Sequence, residues 1–320
     1  MKEITRYNLK KDMFDSIPFM LIQDQDFEVV SFAYRSGIEG LKIANKNTSM
    51  VILPYMGHQI WSLEFNGKSF TQKSIFDYPM TTTKFGDNYG AFLIHCGLTN
   101  INGPDTGENY PLHGELPFAV YDDNYVGIGE DAKGRYIVVG GKYEYRNSQE
   151  YYYEYSPCLK LYANETIVEV NSTINNKRGS DLDYLFMCHM NWICINHSNI
   201  VYSVPQNEEH ILLPNPAKQS ETTREKKLNN FIEQLNTNPE IVNKIDFDTQ
   251  VYNPELCIDI KYESDSSGWG HAMQIMPEED SCYVGFNTSN LPYGLRWQCK
   301  TEDENAIGFC LPTTGTHHSS

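Results

Sequence analysis

The chain has 320 residues, 40% hydrophobic, 13% aromatic and 21% charged, which is apolar enough for a sizeable core and typical of a folded globular protein. Its 25 Lys and Arg stand against 42 Asp and Glu, and the resulting net charge of −17 repels phosphate backbones and anionic lipid surfaces. Nucleic-acid binding and membrane binding are therefore set aside. The densest basic stretch, Arg224 to Lys227, is diluted by acids and reads as the solvated face of a helix.

The first 22 residues, MKEITRYNLKKDMFDSIPFMLI, carry neither the apolar run nor the small-residue cleavage site of an export signal. No run of about 18 apolar residues marks a membrane span, so the expected location is cytoplasmic. The eight cysteines lie scattered in apolar surroundings without zinc-ligand spacing and are expected as buried free thiols.

Along the chain, short runs rich in β-branched and aromatic residues predict strands at Met50 to Tyr55, Gln59 to Phe65, Arg135 to Tyr145, Cys158 to Ala163, Thr166 to Ile174, Leu182 to Trp192, Leu256 to Tyr262 and Ala306 to Pro312. Turn residues such as Asn66-Gly67 and Asn175 to Gly179 separate them. Helical spacing occurs from about Ser220 to Leu235, where Leu228, Phe231, Ile232 and Leu235 recur at three and four, and a second helical turn is expected at Pro239 to Lys244. No linker or repeat divides the chain. The expectation is an all-β, large antiparallel sandwich over 1–320 in one domain, with one or two short helices in an insertion at about 218–245.

No Walker loop, HExxH or GxSxG sequence is present, which removes the commonest nucleotide, zinc-protease and serine-hydrolase readings. The residues suited to chemistry are histidines in polar company. The stretch Gly90 to Ala119 holds His95, His113 and Glu115 among glycines in a long loop, and loops of that length inside a compact domain are usually functional. In Leu185 to Asn196, His189 interrupts an apolar strand. Alternation places it with Asn191 on one face, and Cys188, Met190 and Trp192 on the other. Further along come His271, in WGHAMQI, and Arg296 beside Trp297; His58, Gln59 and Asp77 are candidate rim residues. Histidine, carboxylate, guanidinium and indole groups suit the binding of polyhydroxylated ligands by hydrogen bonding and ring stacking. His317 and His318 read as an exposed tail. An alternative reading takes His95, His113, Glu115 and His189 as a metal site, although close His-x-His spacing is absent.

The order LPYMGHQIW, FDYP, HCG, YPLHGE, CHMNW, WGHAMQ and LRWQC resembles the aldose 1-epimerase (galactose mutarotase-like) superfamily, in a bacterial branch of it, from about Ser49 to Thr314. The resemblance implies the large antiparallel β supersandwich of that superfamily and a carbohydrate epimerase, most simply an aldose 1-epimerase acting on a free or acidic sugar. Leu112-His113-Gly114 resembles the motif carrying the first active-site histidine, and His189 to Trp192 the strand bearing the general acid. The resemblance thus implies His189 as the acid and His113 as a partner of the sugar's ring oxygens. No metal, nucleotide or redox cofactor is then needed, and the partner is a small-molecule carbohydrate.

The strand corresponding to the one that usually bears the glutamate base carries Cys310 instead. Within this chain Glu115 is the better candidate for that role, with Asp77 and His271 as alternatives, while His95, Asn191, Trp192, His271, Arg296, Asp77 and Gln59 are expected to bind substrate. The missing glutamate also leaves open a sugar-binding or sensing protein that does no chemistry. The ending GTHHSS lacks the further turn and strand that such families tend to have, and reads as either truncated or genuinely short.

Overall fold

A computed structural model describes residues 4–104, 109–217, 222–278 and 280–317. In chain order its strands are β1 (Thr5–Asn8), β2 (Phe19–Gln23), β3 (Glu28–Ala33), β4 (Glu39–Ala44), β5 (Thr48–Leu53), β6 (Gln59–Phe65), β7 (Lys68–Ser69), β8 (Leu93–Leu98), β9 (Asp122–Asp131) and β10 (Gly134–Asn147). They continue as β11 (Tyr151–Tyr162), β12 (Val168–Asn176), β13 (Leu185–Met190), β14 (Asn199–Tyr202), β15 (Ile211–Leu212), β16 (Leu256–Lys261), β17 (Trp269–Ile275), β18 (Ser281–Asn287), β19 (Tyr293–Lys300) and β20 (Asn305–Thr313). The α-helix α1 spans Thr223–Thr237.

Three antiparallel sheets result. The largest has twelve strands in the order β15-β16-β19-β20-β13-β8-β6-β5-β4-β3-β2, with β7 paired to β6. A second runs β1-β9-β10-β11-β12 and a third β14-β17-β18. This is the all-β antiparallel sandwich expected from the strand pattern, in the large form that the family resemblance implies.

The sequence dictates which faces meet. In β11, Tyr153, Tyr155, Leu159 and Leu161 alternate with more exposed residues and are buried, so one face of the five-stranded sheet is apolar. That face packs on the large sheet: Tyr155 meets Phe186 of β13 at 6.0 Å between ring centroids and gives a 3.0 Å hydrogen bond with His95 Nδ1 of β8. Arg135 of β10 ties the same two layers together through Asp24 and Asp26 at the β2–β3 turn.

The helix falls where the spacing predicts, although Ser220 lies outside the described residues. Thr222 and Glu225 close a reciprocal capping box at its start, and Leu228, Phe231, Ile232 and Leu235 are all buried. A 3-10 turn, Pro239–Asn243, follows. The helical segment lies against β19, whose Arg296 donates to Val242 O at 2.7 Å, and Phe231 packs edge-on against Tyr252, just before β16, at 5.9 Å. Among the described residues no helix is long and apolar enough to cross a membrane.

His317 is not the free tail expected of it. Its ring Nδ1 lies 2.6 Å from Asp259 Oδ2, and its backbone N–H donates to Oδ1 at 3.0 Å. Asp259 is buried in β16, and a buried carboxylate requires such partners. His318 lies outside the described residues.

Candidate functional site

In the large sheet Cys188 of β13 pairs directly with His95 of β8, and His95 is engaged by the five-stranded sheet. Alternation therefore turns the next residue, His189, to the opposite face. There it meets Trp297 of β19 at 5.6 Å and Tyr89 at 5.7 Å between ring centroids.

His113 arrives at the same place from the loop between β8 and β9. It adopts φ 63°, in the left-handed region, and Gly114 follows at φ 78°. A Cβ at Gly114 would lie 2.6 Å from the carbonyl oxygens of Gly97 and Asn100, so only glycine lets the loop dock against β8. The docking is fastened by Gly97 N–H to His113 O at 2.9 Å. This backbone presents the His113 ring 5.5 Å from that of His189. Phe85, from a 3-10 turn Phe85–Asp87, lies over both at 4.5 Å from His113 and 6.3 Å from His189.

The hydrogen bonds define what each ring offers. His113 Nδ1 sits 2.5 Å from the Ile101 carbonyl, which can only accept, so Nδ1 carries the proton and Nε2 presents a lone pair. Tyr89 donates its hydroxyl to Asn191 Oδ1 at 2.8 Å, while Asn191 Nδ2 donates to Ala91 O at 2.9 Å. The Tyr89 oxygen is thereby left as the acceptor facing His189 Nε2 at 3.4 Å, a weak contact that favours the proton on Nε2. His189 Nδ1 is buried with no hydrogen-bond partner among the described residues. Burial pushes the pKa of His189 well below the usual histidine value, and the neighbouring charge of His113 pushes it the same way. Burial also lowers His113, against the opposing pull of the Ile101 carbonyl and of the charge on Glu255.

Glu255 is the carboxylate at this site. It directly precedes β16, is exposed, and accepts the indole N–H of Trp297 at 2.5 Å. The site thus joins two neutral imidazoles to a carboxylate, with Phe85, Tyr89 and Trp297 as aromatic walls. Neutral imidazoles and a carboxylate can pass protons to and from bound hydroxyls, and aromatic faces suit the C–H face of a sugar ring.

A family model described as "Domain of unknown function (DUF4432)" matches residues 35–318. The chain belongs to the DUF4432 family. No curated protein matches it significantly by sequence. Among solved structures, this DUF4432 protein is similar to a "putative aldose 1-epimerase" from Klebsiella pneumoniae subsp. pneumoniae MGH 78578, with a TM-score of 0.75 and 15% identity over 98% of this chain and 84% of the other. It is also similar to a galactose mutarotase-like protein from Clostridium acetobutylicum, with a TM-score of 0.53 and 10% identity over 92% and 90% of the two chains. A protein from Synechocystis sp. PCC 6803 gives 0.52 and 13% over 97% and 90%. At such identities the likeness is one of fold, and it gives the DUF4432 chain the galactose mutarotase-like architecture that its motifs resemble.

Of the residues singled out in the sequence, the DUF4432 structure brings together His113, His189 and Asn191. The others lie apart, each for a visible reason. His95 faces the opposite side of the large sheet. The Glu115 carboxylate is held by Leu98 N–H at 2.6 Å, the Thr99 hydroxyl at 2.5 Å and the Tyr153 hydroxyl, so it fastens the His113 loop to β8. Arg296 is fully buried beneath the helical segment, with Nη1 on Val242 O at 2.7 Å and Nη2 on Gln298 Oε1 at 3.0 Å. Trp192 is buried between Phe92 and Phe309. Gln59 is buried and donates to Pro117 O at 2.7 Å, and Asp77 is exposed on the loop after β7. His271, on β17 of the three-stranded sheet, pairs with Asp265 at 3.0 Å and Tyr283 at 2.7 Å.

Among the described residues no three His, Cys, Asp or Glu side chains converge in a way that could hold a metal ion. Sequence reasoning missed Glu255, Phe85 and Tyr89, and treated Trp297 only as the neighbour of Arg296. Glu255, Phe85 and Tyr89 belong to none of the motifs read in the sequence, and only the β16–β19–β20–β13 strand order brings Glu255 and Trp297 to His189.

Proposed function

We propose that this protein is a carbohydrate epimerase of the aldose 1-epimerase type, interconverting the anomers of a small free or acidic sugar, with Glu255 in the role of the missing C-terminal glutamate. The observation that carries the reading is the Glu255 carboxylate held by Trp297, whose ring lies 5.6 Å from that of His189, with the half-buried His113 ring 5.5 Å from His189 on its other side. Glu255 takes the proton from the anomeric hydroxyl as that oxygen becomes the aldehyde carbonyl and the bond from C1 to the ring oxygen breaks. The electron pair of that bond passes to the ring oxygen, which takes the Nδ1 proton of the imidazolium form of His189, the minor form that carries the reaction while the resting ring is neutral. Rotation about C1–C2 and the reverse steps close the ring on the other face. His113 Nε2 accepts from a neighbouring hydroxyl and orients the ring, while Asn191 and Tyr89 hold His189 in position. Each of the two proton carriers ends the cycle in the state in which it began.

The test is anomer-exchange NMR with a sugar that binds. His189→Ala and Glu255→Gln each lose exchange by about a hundredfold or more, the size of a general acid or base contribution. Glu115→Gln keeps exchange close to wild type and lowers thermal stability instead. Full activity in Glu255→Gln would remove the base from this assignment. Saturable sugar binding with no accelerated exchange would make the protein a sugar binder.

A further inference from the structure

The helical segment beside β19 creates a second feature which the epimerase reading does not use. Arg224 and Lys227, three residues apart on one side of α1, face Lys300 at the end of β19 across a groove of about 400 Å3. Its lining also includes Gln250, Tyr252 and Asn253. In a chain of net charge −17, three cations meeting in one groove form a local reversal of the field. None of the three is ion-paired among the described residues; Lys300 spends one donor on Thr301 O at 2.8 Å and keeps two. The sequence reading of Arg224 to Lys227 as a merely solvated helix face missed Lys300, which lies more than 70 positions away.

The chemistry of the groove selects its ligand. Three cations stand nearer in charge to a dianionic phosphate than to a single carboxylate, and guanidinium and ammonium groups are the usual partners of phosphate oxygens. Polyanions are repelled by the rest of the surface, and the groove's volume suits a small molecule. Asn253 Oδ1, buried and without a donor among the described residues, is available to accept from a hydroxyl of the same ligand. We propose that Arg224, Lys227 and Lys300 form a binding site for the phosphate group of a small phosphorylated molecule. The inference rests on this groove alone and stands whether or not the epimerase reading holds.

The test is isothermal titration of the full chain with inorganic phosphate and, separately, with a hexose phosphate, at low ionic strength where such contacts are least screened. Wild type binds phosphate saturably. Lys227→Gln/Lys300→Gln, two exposed or half-exposed positions, weakens it at least tenfold with unchanged thermal melting, and His189→Ala leaves it unchanged. A hexose phosphate binding tenfold or more tightly than inorganic phosphate identifies a sugar phosphate as the ligand, and equal affinities identify free phosphate. Failure of wild type to bind either, or equal binding by the double variant, overturns the proposal.

Discussion

Acid should destabilise this protein through two histidines that lie outside the candidate site. His58 and His95 are completely buried, and burial holds their pKa values down from 6.5 to about 4 and about 3, with the charge of His58 adding to the depression at His95. His95 has Tyr155 on one nitrogen and no partner on the other among the described residues, and at His58 burial outweighs the opposing pull of the Asn124 side chain and the Gly140 backbone. The unfolded chain takes up these protons near pH 6.5 and the folded chain does not. Their contribution is therefore complete above pH 6.5 and is lost as pH falls towards the folded-state values. At about 1.4 kcal/mol per pH unit for each group, the loss between pH 6.5 and 5 is about 2 kcal/mol per histidine, or about 4 kcal/mol together. Against a total stability on the order of 5–15 kcal/mol this is a large fraction. With a urea slope of about 3 kcal/mol per molar, the midpoint falls by more than about 1 M over that interval. Urea melts at pH 7.5, 6 and 5 on wild type and on His58→Gln/His95→Gln measure it, the variant losing about 4 kcal/mol less across the range. Equal pH slopes in the two proteins would refute the assignment.

Gly114→Ala forces a Cβ against two backbone oxygens at a positive φ, so it should cost about 3 kcal/mol or more in denaturant melts and displace His113. Stability close to wild type would mean the loop does not depend on that close approach. Phe85→Ala opens the histidine pair to water, and the pKa values of His113 and His189, followed by imidazole nitrogen NMR, should rise towards 6.5; unchanged titrations would show that Phe85 is not what desolvates them. The acid must be His189 protonated at Nδ1, and that form is lost as pH rises past the lowered pKa of His189. The optimum of exchange should lie below pH 6.5, and a rate climbing steadily from pH 6 to 8 would contradict His189 as the acid.

Much of the sheet framework was legible because half-buried strands alternate. The run Gln59 to Phe65 coincides with β6, and Ala306 to Pro312 lies within β20. The helix was legible from Leu228, Phe231, Ile232 and Leu235, all of which face the core. The first four strands were not read, since their burial is patchy; β1 is exposed throughout. At the site, alternation correctly placed His189 with Asn191, and the left-handed His113-Gly114 turn explains why that motif stands out. The sequence could not say which face of a strand looks inward. Arg296 and Trp297 are adjacent, yet one is buried under the helical segment and the other walls the site. Glu255 was hidden because an acid before a strand carries no local signal. Its role depends on β16 lying beside β19, a pairing between residues some 40 positions apart.

The most direct test of the central claim is saturation-transfer NMR of anomeric protons on a panel of free aldoses, deoxy sugars and uronic or sulfonated sugars, with and without the wild-type protein. The account predicts accelerated exchange between anomers for at least one sugar, abolished by Glu255→Gln. Unaccelerated exchange for every sugar that binds would contradict it.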